Sequence, residues 1–272
     1  MSQGGSPLPI AASIATTDSG GGAGIQADLK TFAACGVYGV SVAVALTAQN
    51  TLRVHSIHPL PLEFVRDQFE ALDPDLRPVA TKTGMLLSAA HIETVCDELG
   101  QRHWGPLVVD PVMVAKSGDR LLEESAVETL RRRLLPLAQV VTPNWPEAAV
   151  LSGLPVGSEA EALRAGLVIA SLGVAYVVVK GGHSKGDPVD LLVHQDEVTR
   201  LPGSRLETRH THGTGCTFSA AITAYLARGL QPLVAITRAK QYVTAAIVAA
   251  PGLGAGHGPL EHFPSGWPER AD

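Results

Sequence analysis

The sequence predicts an α/β fold: a mostly parallel central sheet flanked by helices on both faces, with one local β-hairpin. Three observations predict it. Short apolar runs alternate with longer segments of helical periodicity along the chain. The short runs are rich in Val, Ile, Leu and Ala, as buried strands covered on both faces are. Polar or glycine-rich motifs follow most of these runs, at the edge where an open α/β sheet binds its ligands.

Taken in order, residues 10–15 read as a buried strand and 25–34 as a helix ending near Gly36. A strand over 40–46 precedes helices over 61–72 and 89–99. Strands over 107–109, 139–141 and 175–179 alternate with helices over 123–135 and 159–172. Ser158 with Glu161 supplies a capping box for the latter. Residues 190–193 and 198–201, around Gln195-Asp-Glu197, read as an antiparallel hairpin. Helices over 216–228 and 233–249 complete the pattern. With no low-complexity linker and no repeat, residues 1–272 read as a single domain. The ends, 1–8 and 264–272, lack periodicity and read as frayed.

The chain has 272 residues, 45% of them hydrophobic, enough for one large core or two modest ones. A net charge of −5 without a basic run argues against nucleic acid as a partner. No apolar stretch approaches 18 residues, so no membrane span is expected. No signal peptide is apparent, and three cysteines without a CxxC pair fit a reducing cytoplasm. Cys35 and Cys96 read as packing residues. Of only six lysines, Lys82, Lys116 and Lys180 fall at or just after strand ends.

The most informative segment is His212-Gly-Thr-Gly-Cys216, directly ahead of an apolar helix. Gly213 and Gly215, flanking Thr214, let backbone N–H groups approach a ligand closely. The helix start adds unpaired donors and the positive end of a dipole, making an anion hole. Cys216 sits at its edge, where a thiolate is expected to be stabilised. A hole for developing charge beside a proton acceptor suits phosphoryl transfer. The same residues also suit a plain Gly-rich loop with a small cysteine capping a core helix.

Other motifs gather at the same sheet edge. Asp110, Asn144 and Glu147 offer hard oxygen ligands of the kind Mg²⁺ takes alongside phosphate and water. Each also has a structural reading, Glu147 as the acid of a helix first turn. Lys180, after a buried run and before two glycines, is placed to neutralise nucleotide phosphates. Gln49 offers an amide for a heterocycle edge. Ser19–Gly24 is glycine-dense but does not fit G-x-G-x-x-G, and no G-K-[ST] occurs, so neither Rossmann nor P-loop binding is supported. His183, His212 and His257 lack zinc spacing and read as loop hydrogen-bonding residues.

In this order the motifs resemble the ribokinase-like superfamily, and within it the hydroxymethylpyrimidine/phosphomethylpyrimidine kinases of thiamine biosynthesis. The resemblance runs from about residue 10 to 263. It is carried by residues 21–32 (GGAGIQADLKTF), 48–51 (AQNT), 82–85 (KTGM), 109–119 (VDPVMVAKSGD), 142–144 with Glu147, 180–183 (KGGH) and 212–216 (HGTGC). It implies ATP- and Mg²⁺-dependent phosphorylation of 4-amino-5-hydroxymethyl-2-methylpyrimidine and then of its monophosphate. It implies Cys216 as base and Gly213, Thr214 and Gly215 as the anion hole. It assigns Gln49, Asp18, Gly22 and Met85 to the pyrimidine and Lys180 and Asn144 to the nucleotide. Asp110, Asn144 and Glu147 would organise the metal, directly or through water. A homodimer is implied as well. One position departs from the family pattern: the first strand usually ends in glycine before Ser/Thr-Asp, and here Thr16 precedes Thr17-Asp18. Two other readings share these residues, a pyridoxal kinase of the same superfamily and a non-catalytic pyrimidine sensor.

Overall fold

The computed structural model describes residues 8–113, 124–184, 186–195 and 197–267. Among these the chain runs β1 (Ile10–Thr16), α1 (Gly24–Ala34), β2 (Tyr38–Gln49), β3 (Val54–Pro59), α2 (Leu62–Leu72) and β4 (Ala80–Thr83). It continues through α3 (Ala89–Gln101), β5 (Leu107–Val109), α4 (Glu124–Thr129), β6 (Val140–Val141), α5 (Trp145–Ser152) and α6 (Glu159–Ala170). It ends with β7 (Tyr176–Val179), β8 (Val189–His194), β9 (Glu197–Pro202), α7 (Thr214–Ala227) and α8 (Pro232–Val248).

All these strands form one sheet in the order β3-β2-β1-β4-β5-β6-β7-β8-β9. The six central strands β2-β1-β4-β5-β6-β7 run parallel to one another, while β3 beside β2 and the β8–β9 hairpin beside β7 add antiparallel edges. Successive side chains of a strand point to opposite faces. Val108 and Val109, Val140 and Val141, and Val178 and Val179 accordingly divide between two cores. α2 to α6 cover one face, with Phe69, Ile92 and Trp145 among the buried residues. α1, α7 and α8 cover the other, with Phe32, Phe218, Tyr225 and Tyr242. This two-sided burial is why the strands read as unbroken apolar runs.

The structure corrects several sequence expectations. β3 was not foreseen, because an exposed edge strand of alternating His, Ser and Ile carries little apolar signal. β4 was hidden by its composition: Ala-Thr-Lys-Thr is buried at all four positions. α5 was also missed. β2 continues through Thr47–Gln49, which had been placed in the following loop. The helix expected over 123–135 is α4 followed by a π turn, Leu130–Leu134, and a 3₁₀ turn, Leu135–Leu137; residue 123 lies outside the described residues. Ser158 caps α6 as expected by accepting from Glu161 N–H, but Glu161 Oε2 accepts from Gly157 N–H, 2.8 Å away. Residues 264–267 are not frayed: the Trp267 indole packs edge-on against Tyr242 at 5.3 Å and hydrogen-bonds the Tyr225 hydroxyl. Residues 1–7 and 268–272 lie outside the described residues.

In the sheet order, β1 has β2 on one side and β4 on the other, so the chain changes direction across it. The crevice beyond the carboxyl ends of the strands near such a point is where this architecture holds ligands.

Candidate active site

A cavity of about 850 Å³ opens at that edge of the sheet. Its walls bring together Gln49, Met85, Asp110, Asn144, Glu147, Lys180, Gly213, Thr214, Gly215 and Cys216, together with Thr16 and Lys82. Asp18 and Gly22 are not on its walls.

The anion hole forms at the start of α7. Gly213 is its N-cap, at φ 81°, a left-handed conformation that favours glycine. A Cβ there would lie 1.8 Å from the Gly22 carbonyl oxygen, so the loop admits no side chain. Thr214 spends its donors: its N–H and hydroxyl both bond Thr211 O, at 3.3 and 2.8 Å. The N–H groups of Gly215 and Cys216 have no acceptor among the described residues and are the donors of the hole. Thr214 thus contributes shape rather than an amide, a correction to its expected part.

Gly215 lies directly over the charged floor of the site. A Cβ on it would stand 3.3 Å from both Asp110 Oδ2 and Lys180 Nζ. Lys180 Nζ donates to Asp110 Oδ1 at 3.1 Å and lies 3.9 Å from Glu147 Oε2. Backbone pairing sets this up, since Lys180 N–H bonds Pro143 O and Lys180 pairs with Asn144 beyond β6 and β7. Burial works against the Lys180 ammonium, but Asp110 and Glu147 outweigh it and raise its pKa. Burial pushes the Glu147 carboxyl up to about 7, with Asp110 adding to it and Lys180 opposing.

Asn144 and Glu147 have a second task. Asn144 Oδ1 accepts Glu147 N–H at 2.9 Å, and Glu147 Oε2 accepts Asn144 N–H at 2.7 Å, a reciprocal box that caps α5. Asn144 Oδ1 is thus committed to the cap of α5, and its expected part at the metal, directly or through water, falls to whatever acceptor capacity the cap leaves. No group of three His, Cys, Asp or Glu side chains suited to a metal occurs among the described residues. The remaining pair, Asp110 and Glu147, are buried carboxylates sharing one ammonium. That fits a hard divalent cation carried largely by phosphate oxygens and water.

Cys216 is half-buried in the first turn of α7. Burial pushes its thiol up to about 11; Lys82 pulls it down, while Asp28 and Asp110 push it higher. The expected thiolate is thus not the resting state: burial, with Asp28 and Asp110, outweighs the pull of Lys82 and of the Gly24 amide. Lys82, in the middle of β4, is wholly buried with its Nζ 2.8 Å from Asp28 Oδ2, which also accepts from Ser13 Oγ at 2.5 Å. Nothing in the four residues of β4 marked this pair; position 82 was singled out by the scarcity of lysine and by the 82–85 motif, neither of which points to Asp28.

At the other end of the cavity the Gln49 side chain has no partner among the described residues, while its backbone is pinned to Ser19 Oγ. Asp18 does not reach the cavity. Its carboxylate accepts Gly20, Gly22 and Ala23 N–H at 2.8, 3.0 and 2.7 Å and His212 Nε2 at 2.9 Å. Burial would raise its pKa, but the His212 bond and the loop amides lower it. Gly22 packs against His212 and Pro259, where a Cβ would collide at 2.7 and 3.0 Å. Asp18 and Gly22 therefore build the wall between the Gly-rich loop and the anion hole, a correction to their expected contact with substrate.

The comparisons with known proteins agree with this geometry. A family model described as phosphomethylpyrimidine kinase matches residues 18–261. A hydroxymethylpyrimidine/phosphomethylpyrimidine kinase of Rhizobium meliloti is 51% identical over 263 residues, covering 95% of this chain and 98% of its own. Its counterpart in Streptomyces coelicolor is 48% identical over 259 residues, covering 95% of each. Among solved structures, the phosphomethylpyrimidine kinase of Clostridium difficile is similar at a TM-score of 0.79 and 42% identity, covering 88% of this chain and 99% of its own. The ADP complex of Bacillus subtilis pyridoxal kinase is similar at 0.88 and 37% identity, covering 94% and 98%. The fold is that of the ribokinase-like kinases, the cavity has the parts of a phosphotransferase, and the chain belongs to the phosphomethylpyrimidine kinase family.

Proposed function

We propose that the chain uses ATP to phosphorylate the hydroxymethyl group of 4-amino-5-hydroxymethyl-2-methylpyrimidine, and then phosphorylates the monophosphate to the diphosphate in the same cavity. The observation that carries this is one juxtaposition. The free Gly215 and Cys216 amides lie over Lys180 and Asp110, with the Cys216 thiol at the edge. Gln49, at the far end of the same cavity, offers an unpaired amide to the ring.

In this reading Lys180 holds the nucleotide phosphates and the Gly215 and Cys216 amides meet the charge that grows on the transferring group. Cys216 takes the hydroxyl proton. With the thiol resting near 11, thiolate is scarce at neutral pH, so turnover of the alcohol rises with pH. A Mg²⁺ ion held at Asp110 and Glu147 supplies charge neutralisation at the phosphoryl oxygens. Removal of divalent ions with EDTA abolishes turnover, and Asp110→Asn raises the Mg²⁺ concentration needed; full activity in excess EDTA would defeat the metal assignment. The three cysteines are free thiols, which supports a reducing cytoplasmic setting. Exposed Leu46 on β2, paired with His58 of edge strand β3, supports a homodimer, to be checked by sedimentation.

The deciding experiment is ADP release from the purified chain with the pyrimidine, its monophosphate and pyridoxal offered side by side. Turnover of the first two supports the reading. Turnover of pyridoxal alone would transfer the chain to the activity named for its Bacillus subtilis neighbour.

A further inference from the structure

Lys82 is the one wholly buried lysine in the cavity wall, and the first phosphorylation draws on it only through its downward pull on the Cys216 thiol. Its ammonium has a single hydrogen-bond partner among the described residues, Asp28. Asp28 is buried behind it and does not reach the cavity. The ion pair is therefore oriented, with the cation toward the cavity and the carboxylate toward α1. Gly84 keeps it so, because a Cβ there would lie 2.8 Å from Lys82 Nζ and 3.1 Å from Ala15 Cβ. Lys180, the other lysine in this part of the site, is already held by two carboxylates.

We propose that Lys82 is the acceptor-side cation of this site and that it serves chiefly the second phosphorylation. The inference rests on the proposed function, and it follows from a difference between the two acceptors. In the first step a neutral hydroxyl oxygen attacks the γ-phosphorus. The new O–P bond forms, the bond to the β–γ bridging oxygen breaks with its electron pair leaving on ADP, and the hydroxyl proton passes to the thiolate form of Cys216, which becomes the thiol. In the second step the attacking oxygen belongs to a phosphate monoester, which carries close to two negative charges above about pH 6. That oxygen has no proton to lose. Two phosphate groups must instead be brought together, so the need moves from a base to a positive charge beside the acceptor. A buried ammonium with unused donors, facing the cavity that also holds Cys216, meets that need. Burial opposes the charge on Lys82, but Asp28 outweighs it, so the group is a permanent cation in the working pH range.

The test compares Lys82→Gln and Lys82→Met with wild type on both acceptors. Glutamine keeps a hydrogen bond to Asp28 without the charge. Methionine strands that carboxylate, so it is also made together with Asp28→Asn. The expected result is a loss of about 10²-fold or more in kcat/KM for the monophosphate and less than about tenfold for the alcohol, with folded variants certified by their melting temperatures. Calorimetry should give a matching selective loss of monophosphate affinity, and Lys82→Arg should restore part of both. Equal losses on the two acceptors, or undiminished monophosphate turnover, would overturn the inference. Wild type that turns over neither acceptor would instead overturn the proposed function, which keeps the two failures apart.

Discussion

At the scale of single residues, Cys216 and Thr16 make the most direct claims. Cys216→Ala should bind nucleotide normally and lower kcat for the alcohol by about 10²–10⁴, the usual range for losing a general base. It should also flatten the rise of activity between pH 7 and 9, because the group that must lose its proton is gone. Wild-type turnover in the variant would make Cys216 a packing residue. Thr16 is buried at the end of β1 and lines the cavity, with its χ1 held stiffly by branching. If it crowds the ring, Thr16→Gly tightens pyrimidine binding, by less than about 1 kcal/mol because glycine also loosens the chain there. Equal affinities by calorimetry would show that the side chain is turned from the ligand. Cys216, Lys180 and Asp110 could be chosen from sequence because each follows an apolar strand or glycine turn. What stayed hidden was occupancy. No spacing rule says that Asn144 is spent on a cap, that Asp18 is used up by four donors, or that burial raises the Cys216 thiol.

At the scale of elements, the Gly-rich loop between β1 and α1 and the turn before α7 act as one wall. Asp18 ties them through His212, and Gly22 and Gly213 meet backbone to backbone. Asp18→Ala leaves three loop amides and His212 without their acceptor. It should destabilise the chain by about 3 kcal/mol, the cost of stranding donors that bond a buried charge. Urea unfolding measures the loss, and a change under about 0.5 kcal/mol would mean the latch is ornamental to the fold. Elements whose burial matched their composition were readable in sequence: β1, β5, β7 and the α7–α8 pair. β4 was not, since composition does not show that Lys82 is buried against Asp28, that the Thr81 hydroxyl donates to Trp104 O, or that the Thr83 hydroxyl is buried with no side-chain partner among the described residues. β3 was not, since an edge strand answers to its partner's hydrogen bonds rather than to its own apolar side chains.

At the scale of the whole molecule, stability should depend on one buried imidazole. Burial lowers His262 to about 4, helped by Lys30, against an unfolded value near 6.5. The folded chain therefore refuses a proton that the unfolded chain accepts. The sign follows: stability is intact above about pH 6.5 and falls as the pH drops toward 4, by up to about 3 kcal/mol. His262→Gln should flatten that part of the curve of melting temperature against pH; an unchanged slope would assign the acid sensitivity to other groups. The two-faced sheet itself has a consequence for synthesis. One face is covered by α1 from the start of the chain and by α7 and α8 from its end, and the Asp18–His212 latch closes over 194 residues. A nascent chain emerging from the ribosome must carry an uncovered apolar face until those last helices arrive. Its exposure to chaperones and to aggregation is thus timed by translation of roughly the final fifth of the message, where α7 and α8 are encoded.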